Sequence, residues 1–352
     1  MKKVLSIVAA VMMVGVMLVG CAPVLAADDT KVIVEHASGE KFAIAFCFQD
    51  LETEFWVAGH TAIIEALTNA NIDVIQYNAN QDANKQLEQV NDAISQGVEG
   101  IIIIPQDGES ALTIIRAANN ASVPIAVFNR PPANEDGSAV VVVADNFNIS
   151  YEAGKYMVAQ AKERFGRTQE KVTVFHLIGD LGDQNAIYRK EGFEKALSEA
   201  QDVIAKVVEV PTEWDSNTTL NNLRSALQSE PGIGMLFCGS DFLYPQIQAT
   251  LEPVGKWKKI GEEGHVIMGA VDGDSTAGRL MDEGFVDATA VQDVYYEATL
   301  ALNALVKAIN EKNTAPDEWL NDPGFALTQG NMAERRMDMW GNKVRRAKGE
   351  IQ

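Results

Sequence analysis

Polar side chains with planar hydrogen-bonding ends recur just past short apolar runs along this chain. Asn129 and Arg130 close the stretch VPIAVFNRPP, where two prolines prevent continuation into a helix. Thr53, Phe55 and Trp56 follow the first apolar run, and Asp145 lies near the fifth. In the second half, Asp183, Asn185 and Arg189 follow a run ending at Leu177, and Trp214 and Asp215 one ending at Val210. Ser240 and Asp241 follow Cys238, Asp272 follows Val271, and Gln292 follows Val291. Carboxylates, amides and guanidinium groups match the hydroxyl edge of a small sugar, often two bonds at a time. Aromatic rings match its C–H faces. Each residue also has a structural alternative: one of Phe55 and Trp56 could be core, Asn129 a turn residue, and Asp183, Asn185 or Asp241 a helix cap. The recurrence at the same end of successive runs carries the binding reading.

The elements that must position these groups alternate. Apolar runs at 41–48, 72–77, 100–104, 123–128 and 139–143 read as strands, and 54–69, 83–95 and 110–121 carry helical spacing. At Ala144-Asp145-Asn146 the pattern restarts: helices at 149–164, 185–198, 220–228, 243–251, 275–282 and 297–310 separate strands at 171–177, 203–210, 233–238, 266–271 and 287–291. Strands joined by helices of this length form right-handed crossovers and a parallel sheet. Two similar β/α halves imply an α/β fold of two doubly wound lobes with a cleft between them. The tail beyond Thr314 is less regular.

The net charge of −20 excludes a nucleic-acid partner, which needs a basic face. Residues 1–20 carry a positive start and an apolar run, the pattern of a signal peptide. The ending Leu18-Val19-Gly20-Cys21 resembles a bacterial lipobox, which implies lipidation of Cys21. The alternative is cleavage at Val24-Leu25-Ala26 and a free periplasmic protein. Cys47 and Cys238 sit in apolar runs and read as small buried residues. A disulfide between them would need their two strands to meet.

The mature chain resembles the periplasmic sugar-binding proteins of ABC importers, in the ribose/galactose-binding (type I) family. The resemblance spans Lys41 to about Thr328 and is carried by TEFW, QGVEGIIIIPQD, VPIAVFNRPP, VVADN, YRKEGFEKAL, LFCGSD and GAVDGD. It implies two Rossmann-like lobes joined by a three-crossover hinge. After a linker at 21–40, residues 41–144 and 293–323 would form the N-terminal lobe, and 145–292 and 324–352 the C-terminal lobe. The chain would cross near Ala144–Asp145, Gln292–Asp293 and Gly324–Leu327. By motif, Phe55 and Trp56 would stack on the sugar, and Asn129 and Arg130 would bind its hydroxyls from the first lobe. Arg189, Asp272 and Gln292 would do so from the second, with Trp214 as a further stacking ring. Thr53, Asn129 and Ser240 depart from the family pattern, which leaves the choice between a hexose such as glucose or galactose and a pentose such as ribose open.

The partners implied are a monosaccharide and a membrane permease, with a chemoreceptor as a further possibility, for a monomer outside the cytoplasm. Two other functions compete: a sensor presenting its closed form to a receptor or kinase, and a carbohydrate-active enzyme. No phosphate loop, GxSxG or HExxH is present, so neither cofactor nor metal is expected. The acids of DGDSTAGRLMDE mimic a calcium loop, but Ala277 stands where that loop needs glycine.

Overall fold

The computed structural model describes residues 42–166 and 170–352. The signal peptide, the linker and Cys21 lie outside the described residues. The chain runs β1 (Ala43–Phe48), α1 (Glu54–Asn69), β2 (Asp73–Asn78), α2 (Ala83–Ser95), β3 (Gly100–Ile104), α3 (Gly108–Asn120), β4 (Ile125–Phe128) and β5 (Val140–Ala144). It continues with α4 (Asn146–Phe165), β6 (Val172–Ile178), α5 (Gln184–Ser198), β7 (Ile204–Pro211), α6 (Ser216–Ser229), β8 (Ile233–Cys238) and α7 (Tyr244–Leu251). The last elements are β9 (Ile267–Asp272), α8 (Ser275–Glu283), β10 (Ala288–Val291), α9 (Val294–Asn310), β11 (Glu318–Asp322), β12 (Phe325–Thr328), α10 (Met332–Arg335) and α11 (Trp340–Ala347).

Two six-stranded sheets result. The first has the order β2-β1-β3-β4-β5-β11, all parallel, and the second β7-β6-β8-β9-β10-β12, with β12 antiparallel. The central strands are apolar along their length because helices cover both faces. On β1, Ile44, Phe46 and Phe48 face the core beneath α1 and α9, while Ala45 and Cys47 face the core beneath α2 and α3. In the second lobe Phe175 and Leu177 face one layer, and Val174, Met235 and Phe237 the other, against α4 and α5. Cys47 and Cys238 are buried, free and in different sheets, and burial pushes both thiols up to about 12.

The chain passes between the lobes three times. After β5, α4 packs on α5, β10 and β12 of the second lobe; after β10, α9 returns to α1, β4 and β5 of the first. The third passage lies between β11 and β12. It comes slightly earlier than the resemblance suggests, because Phe325 is already paired with Val291 in the second sheet. Asp322 ties the three passages together. Its carbonyl accepts from Asp145 N at 2.8 Å, and its carboxylate accepts from Asp293 N at 2.6 Å and Gly324 N at 2.9 Å.

Acidic residues at strand ends also start helices. Asp107, Asp145, Asp183, Asp215, Asp274 and Asp293 each accept from a backbone N–H in the first turn of the following helix. Each cap satisfies donors that a helix start leaves open. The same short connections put the carboxyl end of each strand at the cleft, where the two sheets reverse strand order between β1 and β3 and between β6 and β8.

Candidate functional site

Loops at the carboxyl ends of both sheets enclose a cavity of about 330 Å³. Its volume is at the small end of ligand pockets. Thr53, Phe55, Trp56, Asn129, Arg130, Asp183, Asn185, Arg189, Trp214, Ser240, Asp272 and Gln292 all line it. Gln49, Asp50, Gln106 and Asp180 line it too, and sequence reasoning passed over them. Gln49 and Asp50 directly follow β1, so the strand-end rule applied evenly finds them. Asp241, though at a strand end, turns away and accepts from Gly273 N at 2.7 Å and Asp274 N at 3.1 Å.

Each lobe contributes a tryptophan and an arginine, and the second lobe supplies an aspartate to each arginine. In the first lobe the Arg130 guanidinium lies 5.4 Å from the Trp56 ring centre. Its Nη1 donates to Gln49 Oε1, to the Gln106 carbonyl at 2.6 Å and to the Pro105 carbonyl at 3.3 Å. Its Nε lies 2.9 Å from Asp183 of the second lobe, an ion pair rather than an aligned hydrogen bond. In the second lobe the Arg189 guanidinium lies 5.8 Å from the Trp214 ring centre. Its Nε donates to Asn146 Oδ1 at 2.7 Å and its Nη1 to the Gly239 carbonyl at 2.8 Å, and Nη1 forms an ion pair with Asp272 Oδ1 at 3.0 Å. Neither Nη2 makes a hydrogen bond to the described residues, so each rigid fork keeps one nitrogen for another molecule.

Trp214 packs close against glycine backbone. A Cβ at Gly179 would come within 2.1 Å of its ring, and one at Gly239 within 3.2 Å. Trp214 Nε1 and Gln106 Oε1 are buried with no partner among the described residues. Phe55 meets Trp56 edge-on at 5.1 Å, and Trp340 at 6.0 Å.

The structure uses Asn129 and Gln292 differently from the rim contacts expected of them. Asn129 Nδ2 donates to Gln292 Oε1 at 3.0 Å, and Gln292 Nε2 to Asp272 Oδ1 at 2.7 Å. Asp272 holds Arg189, Arg189 holds Asn146, and Asn146 Nδ2 donates to Asn185 Oδ1 at 3.0 Å. Asn185 Nδ2 then donates to the Asn129 carbonyl at 3.0 Å. The result is a closed polar ring of six buried residues spanning both lobes beside the hinge. Both amide hydrogens of Asn129 are spent, the second on Glu297 at 2.9 Å. Glu297 is fully buried, and burial, followed by the nearby Asp322 charge, raises its pKa well above the usual carboxylate range. Asp272 is raised chiefly by burial, opposed by Arg189 and by hydrogen bonds from Ser240 and Gln292.

Strain concentrates here. Asn129 has φ +64°, Trp214 +51° and Asp272 +112°, values L-residues seldom adopt. Such conformations persist where the surroundings over-determine them, as at ligand clamps. The lobes are in contact across the cleft: besides Arg130–Asp183, Glu54 of α1 accepts from Ser275 N of α8 at 2.9 Å. Among the described residues no group of His, Cys, Asp and Glu could hold a metal, and no helix is long and apolar enough to cross a membrane.

Comparison with known proteins bears on this geometry. A D-apiose import binding protein of Actinobacillus succinogenes is 25% identical over 237 residues, covering 67% of this chain and 72% of that protein. A ribose import binding protein of Bacillus subtilis is 26% identical over 206 residues, covering 58% and 64%. The solved structure of an ABC transporter periplasmic solute binding protein from Actinobacillus succinogenes with bound D-allose superposes with a TM-score of 0.73 at 21% identity, over 83% of this chain and 99% of that one. The family model described as periplasmic binding protein domain matches residues 44–313. With that match across both lobes, the chain belongs to the periplasmic binding protein domain family.

Proposed function

We propose that this protein is an extracytoplasmic solute-binding protein that captures one neutral monosaccharide by hinge closure and delivers it to the permease of an ABC importer. The observation that carries the reading is the pair of facing tryptophan–arginine sets, each arginine neutralised by a buried aspartate and each keeping Nη2 open. Rings would cover the sugar faces, and the open guanidinium nitrogens, Gln106 and the Trp214 N–H would take its hydroxyls. Charge sets the ligand class. Seven carboxylates (Asp50, Glu52, Asp180, Asp183, Glu213, Asp215 and Asp272) line the cavity against two arginines, so a sugar acid meets net repulsion. A hexose or a pentose, such as the ribose, apiose and allose in the names of similar proteins, fits this volume and polarity. The likeness to import proteins supports transport as the role. The two lobes would comprise 41–144 with 293–323, and 145–292 with 324–352, held to the membrane surface through a lipid on Cys21.

A thermal-shift screen against pentoses, hexoses, polyols and the matching uronic acids tests this. A concentration-dependent rise in Tm with a neutral sugar and none with its uronic acid is the expected result. A rise with the acid alone, or with no sugar or polyol at all, removes the proposed ligand class.

A further inference from the structure

Past β12 the chain has left both sheets, yet its last segment returns to the ligand site. Trp340 is fully buried at the start of α11, and its Nε1 donates to the Asp272 carbonyl at 2.8 Å. Gly341 N donates to the Gly273 carbonyl at 3.1 Å. A Cβ on Gly341 would sit 2.2 Å from the Asp274 carbonyl carbon, so the segment's backbone lies directly on residues 273–274. This is the turn in which Asp272 adopts φ +112°, and its carboxylate holds the Arg189 guanidinium. On its other side Trp340 meets Phe55 of the first lobe edge-on at 6.0 Å. Lys348, at the end of α11, lies 3.4 Å from Glu54, the residue that also takes Ser275 N. Trp340 itself does not line the cavity.

We propose that Trp340 is a positioning residue of the ligand site. It pins the backbone of Asp272 in a conformation that the residue would otherwise leave, and so fixes where Arg189 points. It also presents the wall against which Phe55 rests when the lobes meet. Ligand affinity therefore depends on a side chain that touches no ligand. The inference rests on the reading of the cleft as a monosaccharide site, but its bracing arm can be tested without any sugar.

Two substitutions in the full-length protein separate the effects. Trp340→Phe keeps a ring and removes the N–H. Gly341→Ala leaves the tryptophan and pushes the segment off the turn. Backbone amide exchange at Gly273 and Asp274, which both donate to Asp241, is compared with exchange inside β9. The expected result is at least a tenfold rise at those two amides with β9 unchanged. Affinity for the neutral sugars D-ribose, D-xylose and D-allose, measured by calorimetry, should fall about tenfold for whichever the wild type binds. Unchanged exchange in both variants overturns the inference, as does raised exchange with undiminished binding. If the wild type binds none of these three, the sugar that raises its Tm in the wider screen replaces them; if none does, the monosaccharide reading fails separately, and exchange still decides whether Trp340 braces the turn. If Trp340→Phe does not fold, Gly341→Ala carries the same comparison.

Discussion

The Arg130–Asp183 pair joins the two lobes across the cleft, and breaking it should weaken ligand capture without unfolding either lobe. Asp183→Asn is the informative change. Asn is as good a helix cap as Asp, so the bond from Asn185 N at 3.0 Å can be kept while the charge is lost. Both partners are buried with the lobes in contact, Arg130 at 6% and Asp183 at 5% exposure. Removing one partner of a buried pair costs about 3–5 kcal/mol. The lower end applies here, because Arg130 keeps its hydrogen bonds to Gln49 Oε1 and to the Gln106 and Pro105 carbonyls. With the lobes apart, each group meets water and the cost vanishes, so it falls on closure. About 3 kcal/mol corresponds to a loss in Kd on the order of a hundredfold. Arg130→Ala should lose more, since it also removes the open Nη2. The double variant should lose less than the sum, because it leaves no uncompensated charge. Calorimetric titration of the four proteins gives the cycle, and melting of the ligand-free forms gives the control. Unchanged affinity in Asp183→Asn would refute the reasoning. So would a ligand-free Tm that falls in proportion to the affinity, since the pair would then stabilise the fold rather than closure.

Further tests follow from the hinge and the cavity wall. Gly179→Ala places a methyl 2.1 Å from the Trp214 ring; sugar affinity should drop at least tenfold, and binding at wild-type strength would remove Trp214 from the site. Burial raises Asp322 from 3.8 to about 6. The native state then holds this proton to higher pH than the unfolded chain, so its contribution to stability declines as pH rises from about 4 to 7, by ~3 kcal/mol in all. Asp322→Asn removes that slope at the cost of one backbone bond. Its unfolding free energy relative to wild type should improve between pH 5 and pH 7.5 in urea titrations, and a parallel pair of curves would contradict the assignment. Glu54 grips Ser275 but does not line the cavity. In stopped-flow measurements, Glu54→Ala should raise the sugar's dissociation rate several-fold and leave association nearly unchanged; a change confined to association would count against a latch.

Much of this architecture was legible because strands buried on both faces read as continuous apolar runs, and because aspartates that cap the next helix mark each strand's end. GIIII at 100–104 and IGMLFC at 233–238 match their strands to the residue. β11 and β12 escaped notice for a physical reason. Glu318–Asp322 forms an edge strand whose Trp319 is 45% exposed, and it carries charge at both ends, so no apolar run announces it. Among site residues, strand-end position identified who reaches the cleft but not what each does there. Asn129 and Gln292 are spent on a ring whose other members come from 146, 185, 189 and 272, and such closure depends on where the lobes meet. Trp340 lay beyond any period or motif; its link to Asp272 spans 68 residues and exists only in the folded chain.

The most direct test of the central claim is a crystal structure of the protein with the neutral sugar that raises its Tm. One sugar ring should lie between Trp56 and Trp214, with Nη2 of Arg130 and of Arg189 each donating to a hydroxyl. A sugar bound outside the cleft, or one in the cleft that neither guanidinium touches, would contradict the account.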